Sequence, residues 1–240
     1  MTYALITGAN KGIGYETAQQ LLHAGYFVFL GCRDAASGQQ AQHRLQEAGY
    51  DQVEVISLDV TSDESVQQAV AAVRRRTPHL DALVNNAGIP SQDLTQLPSA
   101  TALADFYSLF ETNYFGVVRT TQAFLPLLRQ AAHPRIVNLS SSLGSLTLQA
   151  DPTWEYYEVK PVTYCTSKAL VNAWTILLAH ELRDTPFKVN AVNPGQTATD
   201  FTGHVGHSPA HAAQLVANYV QLPPSGPTGQ FFSEDGPTPW

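Results

Sequence analysis

Short, uniformly apolar runs separated by segments of helical period constrain this chain more than any other feature. Tyr3 to Thr7, Tyr26 to Gly31, Val53 to Leu58, Leu80 to Val84, Arg135 to Leu139 and Lys188 to Val192 read as strands. They lack the apolar/polar alternation of a half-exposed strand, so each is expected to be covered on both faces. Gly12 to His23, Ala35 to Ala48, a segment carrying Val66, Ala69, Val70 and Val73, about Ala102 to Ala132, Thr163 to Arg183 and Pro209 to Leu222 read as helices between them. Gly25 and Gly49 stand where helices stop, and Thr61 with Glu64 makes a candidate capping box. Pro126 should kink the long helical stretch or end its regular part. Phe231-Phe232, between Gly229 and Gly236, can form a short last strand. Short connections between such elements predict an α/β fold: one domain over residues 1–240, a doubly wound parallel sheet with helices on both faces. In that architecture ligands sit at the carboxyl ends of the strands.

Composition narrows the partners. Lys+Arg 13 against Asp+Glu 20 gives a net charge of −7, which opposes a broad grip on nucleic acid or anionic lipid. No apolar run approaches the roughly 20 residues of a membrane span, and the N-terminus has no basic region ahead of an apolar stretch. A cytoplasmic protein with Cys32 and Cys165 as free thiols is expected. The eight histidines and two cysteines show no compact ligand spacing, so no metal is expected.

The strand ends carry the chemistry. Thr7-Gly8-Ala9-Asn10-Lys11-Gly12-Ile13-Gly14 lies between the first strand and the first helix. Glycines there allow a tight turn and let a pyrophosphate approach the free N–H groups of the helix start. The spacing is G-x-x-x-G-x-G, not the general G-x-G-x-x-G. Arg33 closes the second strand and Lys11 adds a second cation nearby, an arrangement suited to a ribose 2′-phosphate. Asp34 can instead face a ribose hydroxyl, or cap the next helix. Asp59 and Val60 follow the third strand, Asn85-Asn86-Ala87-Gly88 the fourth, and Ser140-Ser141-Ser142 the fifth. Tyr164 and Lys168 are spaced i, i+4 near the start of a strong helix and share a face. A lysine beside a tyrosine favours the phenolate and lowers the tyrosine pKa, and such a tyrosine can exchange a proton with a carbonyl or alcohol oxygen.

Together, TGANKGIG, NNAG, Asn113, Ser141, YCTSK and NPG resemble the short-chain dehydrogenase/reductase family, in the family's order and over the whole chain. The Asn-Lys form of the first turn is similar to that of NADPH-dependent carbonyl reductase-like members. The resemblance implies a Rossmann-like fold, NADP(H) as cofactor, and a small-molecule carbonyl or alcohol substrate. It implies Tyr164 as catalytic acid/base and Lys168 as the residue that binds the nicotinamide ribose and tunes the tyrosine. Ser141 would orient the substrate, with Ser140 and Ser142 as alternatives, and Asn113 would hold a proton-relay water. Gly8, Asn10, Lys11, Gly12, Ile13 and Gly14 would form the pyrophosphate turn. Asp59 and Val60 would contact adenine, with Asn86, Ala87 and Gly88 next along the groove. Pro194, Gly195, Thr197 and Thr199 would bind the nicotinamide carboxamide. Family practice also implies a homodimer or homotetramer, with Val117, Phe124, Leu127, Trp174 and Leu178 as candidates for contact or core.

Ser141 and Tyr164 are farther apart than is usual in the family. The added segment, around Gln149 to Val162, holds Trp154, Tyr156 and Tyr157. It is expected beside the substrate pocket, whose loops are expected at about 141–163 and 196–222; the longer 141–164 segment could instead cover the pairing surface and leave a monomer. A non-catalytic NADP-binding sensor is the alternative reading, though such sensors can lose the tyrosine or lysine that this chain keeps. An epimerase or dehydratase of the extended version of this fold is a third.

Overall fold

A computed structural model describes residues 1–240. Its elements, in order, are β1 (Thr2–Thr7), α1 (Gly12–His23), β2 (Tyr26–Cys32), α2 (Ala35–Glu47), β3 (Val53–Ser57), α3 (Asp63–Arg76) and β4 (Ala82–Asn85). There follow α4 (Leu103–Phe110), a π turn (Glu111–Phe115), α5 (Gly116–Leu128), β5 (Arg135–Leu139), α6 (Leu146–Ala150), α7 (Val162–Glu181), β6 (Lys188–Val192), α8 (Pro209–Val220), β7 (Phe231–Ser233) and β8 (Gly236–Pro237). The strands form one sheet in the order β3-β2-β1-β4-β5-β6-β7-β8, parallel except for the last pair. The order reverses beside β1, which leaves a crevice between the carboxyl ends of β1 and β4.

Both faces are covered to nearly the same extent. Twenty-one buried residues form a core on the side of α3, α5 and α7, and twenty on the side of α1, α2 and α8. That equality explains why the central strands are mostly apolar on both faces; the exceptions, such as Asn85 on β4 and Asn138 on β5, are buried and bonded to each other. Val117, Phe124, Leu127 and Leu178 belong to the core and Trp174 packs against it, so these residues serve packing.

Several local expectations change. The cap of α3 is Ser62, whose hydroxyl accepts from the Ser65 N–H; Thr61 instead donates its hydroxyl to Asp59. The long helical stretch is three pieces, with the π turn between α4 and α5, and Pro126 lies inside α5 near its end, where it leaves the Gln122 carbonyl without its i→i−4 donor. The stretch 140–161 is not structureless: it holds a 3-10 turn at Ser142–Gly144 and the short α6, capped by Ser145. Lys160 folds it back by donating to the Gln149 carbonyl at 2.8 Å and its side-chain oxygen at 2.5 Å. The tail makes a two-stranded antiparallel end, β7 with β8, where one strand was expected.

Candidate active site

The glycine turn is shaped for close approach. Gly8 and Gly12 hold φ of +65° and +58°, a region other residues rarely adopt. A Cβ on Gly14 would fall 2.6 Å from Asn86 Nδ2 and 2.7 Å from the Gly8 carbonyl oxygen, so only glycine fits. Asn86 holds the turn to β4: its Nδ2 donates to the carbonyls of Thr7 at 2.7 Å and Gly8 at 3.0 Å. The Thr7 hydroxyl accepts from the backbone N–H groups of Asn86 and Ala87. No side chain caps α1, whereas Asp34 caps α2, Ser62 caps α3 and Ser208 caps α8. The first N–H groups of α1 therefore stay available to an anion, and the turn fits the pyrophosphate of a dinucleotide.

Arg33 is exposed immediately after β2. Asp34 is committed as a helix cap, accepting from the Ser37 N–H at 2.8 Å. Hydrogen bonds from Ser37, with a smaller effect of Arg33, hold its carboxyl below the usual carboxylate range. Lys11 departs from expectation. It does not join Arg33 but pairs with Asp200 at 2.5 Å, across the cleft on the Asp200–Thr202 turn. Two residues not singled out in the sequence complete this corner. Asn10 Nδ2 donates to the Ser37 hydroxyl at 3.1 Å, and Arg44 donates to the Asn10 carbonyl while its guanidinium lies 4.6 Å from the Tyr15 ring centroid. Ser37 could have been found as the N3 position of a helix begun by Asp34; nothing local marks Arg44.

Asp59 keeps one carboxylate oxygen occupied by the Thr61 N–H and hydroxyl. Val60 is buried, and a Cβ on Gly116 would fall 2.8 Å from its Cγ2. Gly195 turns with φ +72°. Thr197 is buried and bonded to its own loop, and the Thr199 methyl lies 3.2 Å from where a Cβ on Gly12 would sit. The 196–202 loop thus rests against the glycine turn.

Four side chains converge beyond the ends of β4 and β5. Asn113 is fully buried in the π turn. Its Oδ1 accepts from the Ile89 N–H at 2.8 Å, and its Nδ2 donates to the Ile89 carbonyl at 3.0 Å and the Ser167 hydroxyl at 3.3 Å. Asn113 Oδ1 and Lys168 Nζ border one spot, at 3.4 and 3.9 Å from where a Cβ on Gly88 would lie. Lys168 Nζ donates to the Leu139 carbonyl at 2.8 Å and lies 5.7 Å from the Tyr164 ring centroid. The Ser141 hydroxyl lies beside the Tyr164 phenol and favours its ionised form. Ser140 is turned away: buried, it donates to Asn172 Oδ1. Ser142 begins the 3-10 turn. Ser141 is therefore the serine of the cleft. The Phe201 ring stands edge-on to Tyr164 at 5.5 Å.

One expectation reverses. Burial raises the Tyr164 pKa above 10, and the neighbouring Ser141 offsets only part of the rise. The same burial pulls Lys168 down to about 8. Desolvation acts on both groups against their charged forms and is the largest influence on each. The pair is set to keep a proton on Tyr164 at neutral pH.

The profile of the family described as short chain dehydrogenase matches residues 2–210. The chain is 33% identical to (-)-isopiperitenone reductase of Mentha piperita, covering 97% of this chain and 96% of that protein. It is 31% identical to salutaridine reductase of Papaver bracteatum, covering 97% and 94%. The first alignment spans 304 positions against 240 residues here, so the mint protein carries segments this chain lacks. Among solved structures, an NADPH-bound carbonyl reductase from chicken fatty liver superposes with a TM-score of 0.85 at 28% identity, over 100% of this chain and 99% of that one.

Proposed function

The chain belongs to the short-chain dehydrogenase/reductase family, and on that premise we propose that it uses NADPH to reduce a neutral aldehyde or ketone, or runs the reverse oxidation, with Tyr164 as proton donor. The observation that carries this reading is the convergence of Tyr164, Ser141, Lys168 and Asn113 at one edge of the sheet, where a doubly wound fold binds its ligands. When bound, the nicotinamide supplies the hydride. The uncapped start of α1, with Gly8, Asn10, Gly12, Ile13 and Gly14, would hold the pyrophosphate. Asp59 and Val60 would border the adenine, Asn86 to Gly88 the middle of the groove, and Pro194, Gly195, Thr197 and Thr199 the carboxamide. Lys168, whose Nζ has one protein partner, keeps donors for a ribose.

In reduction, negative charge develops on the carbonyl oxygen. Tyr164 gives its hydroxyl proton to that oxygen and Ser141 donates a hydrogen bond to it. A tyrosine is protonated at neutral pH and so has a proton to give. Lys168 and Asn113 Oδ1 line the space through which Tyr164 can recover its proton.

Likeness to solved structures does not choose the cofactor. An NADP complex of RhlG from Pseudomonas aeruginosa and an NAD complex of a 3-oxoacyl reductase from Brucella melitensis have TM-scores of 0.83 and 0.80. The preference for NADPH is supported by Arg33, exposed at the end of β2, and by Asp34 being spent on its helix cap. A guanidinium can hold a 2′-phosphate through two charge-assisted hydrogen bonds. The reading is tested by assaying aldehydes, ketones and quinones with each cofactor. NADPH-dependent turnover of at least one class supports it; binding of NADPH with no turnover of any would favour a sensor.

A further inference from the structure

Asn172 lies one helical turn after Lys168 on α7 and is 4% exposed. The chemistry above does not use it, yet its amide makes the contacts that seat the serine turn. The Ser140 hydroxyl donates to Asn172 Oδ1 at 2.5 Å, and Asn172 Nδ2 donates to the Gly144 carbonyl at 3.1 Å. Ser140 and Gly144 bracket Ser141, so one buried amide grips the chain on both sides of that hydroxyl. Gly144 also lies directly on α7: a Cβ there would fall 2.6 Å from the Lys168 carbonyl carbon and 2.7 Å from Lys168 Cβ. The 140–144 turn thus rests on the same helix that carries Tyr164 and Lys168.

We infer that Asn172 is a positioning residue for the reaction, setting the Ser141 hydroxyl against Tyr164 by fixing the 140–144 turn in register on α7. The inference rests on the proposed roles of Ser141 and Tyr164. Asparagine suits the task because it accepts from one flank and donates to the other. Aspartate can only accept, and alanine does neither. Displacing a reacting group by about 1 Å can cost about 100-fold in rate.

The test compares kcat, KM and NADPH affinity, the last by fluorescence titration, in wild type, Asn172→Ala, Asn172→Asp, Ser141→Ala and the Asn172→Ala/Ser141→Ala double variant. Asn172→Ala should lower kcat about 10- to 100-fold and leave NADPH affinity within about twofold. Added to Ser141→Ala it should change little more, because the position of a missing hydroxyl has no consequence. Asn172→Asp should fall between wild type and alanine. A double variant slowed by the product of the two single effects, or NADPH affinity falling in step with kcat, would mean general helix packing and overturn the inference. If Asn172→Ala does not fold, Ser140→Ala removes one of the two grips while leaving the helix intact, and it must show the same non-additivity with Ser141→Ala. Unchanged turnover in Ser141→Ala would instead remove Ser141 from its role, and the inference with it.

Discussion

Strand β5 has a buried cation at each end, and the two are held differently. At the amino end Arg135, 4% exposed, donates to the carbonyls of Leu222 at 3.0 and 2.7 Å, Pro134 at 3.0 Å and Pro186 at 3.4 Å. At the carboxyl end Lys168, 6% exposed, donates to the Leu139 carbonyl alone. Neither cation meets a carboxylate. The guanidinium spreads its charge over a fork of donors that three carbonyls occupy, and so ties together the start of β5, the approach to β6 and the chain after α8. Burial lowers the pKa of both, but the guanidinium stays charged whereas the ammonium, with one carbonyl partner, is pulled down to about 8. A cation with four of its five donors engaged closes the amino edge of the sheet, and one with a single donor engaged waits at the carboxyl edge. Unspent donors on a buried charge cost stability and mark a ligand site.

The two cations should therefore respond to removal with opposite signs. Lys168→Met should lower turnover by about 100-fold or more, since proton transfer and its support contribute on that scale. The same change should stabilise the fold at pH 7. A fall from 10.5 to about 8 corresponds to about 3 kcal/mol, and losing the donor to Leu139 returns about 1 kcal/mol, leaving a net gain of about 2 kcal/mol in denaturant unfolding. Arg135→Met should destabilise by about 3 kcal/mol, by leaving buried carbonyls without donors, with kcat of the folded protein within about threefold of wild type. Stabilisation by both substitutions, or by neither, would dissolve the contrast.

The pH dependence sharpens it. Between pH 8 and 10.5 the unfolded chain holds a proton on Lys168 that the folded chain has released. Stability rises with pH wherever the unfolded state binds more protons. The penalty is thus fully present below about pH 8 and fades towards pH 10.5. The gap in Tm between Lys168→Met and wild type should be largest near pH 7 and shrink through that window. A gap that widens with pH would mean that the lysine is stabilised by burial rather than penalised.

Smaller effects are expected at the cofactor corner, where the groups are exposed. Arg33→Asp should weaken kcat/KM with NADPH about 10- to 100-fold while NADH holds or improves, because one charge-assisted contact becomes a repulsion. Lys11→Ala should alter the ratio of the two cofactors by less than about threefold, since its partner is Asp200 and an exposed pair is screened. An effect of Lys11→Ala as large as that of Arg33→Asp would mean that Lys11 leaves Asp200 for the phosphate.

Much of this was legible in the sequence for identifiable reasons. Strand runs such as Ala4 to Ile6 and Phe27 to Leu30 have no polar interruption because helices cover both faces, and that pattern is local. Gly8, Gly12 and Gly14 were legible because positive φ and contact with Asn86 admit no side chain. Tertiary partners were not. Lys11 meets Asp200 from 189 positions away, and Asn172 works through Ser140, 32 positions back. The Tyr164–Lys168 spacing was read as lowering the tyrosine pKa, but spacing does not show burial, and burial decides the sign. Ser141 was preferred over Ser140 by resemblance; the reason lies in the fold, where packing on α7 turns the Ser140 hydroxyl inward and leaves the next for the cleft.

The most direct test of the central claim is Tyr164→Phe, assayed for carbonyl-dependent NADPH oxidation and, separately, for NADPH binding. The substitution removes one hydroxyl and keeps the ring beside Phe201. Affinity for NADPH should stay near that of wild type while turnover falls by about 100- to 10,000-fold, the range for a positioned proton donor. Retention of more than about a tenth of wild-type turnover would contradict the assignment of Tyr164 as the acid.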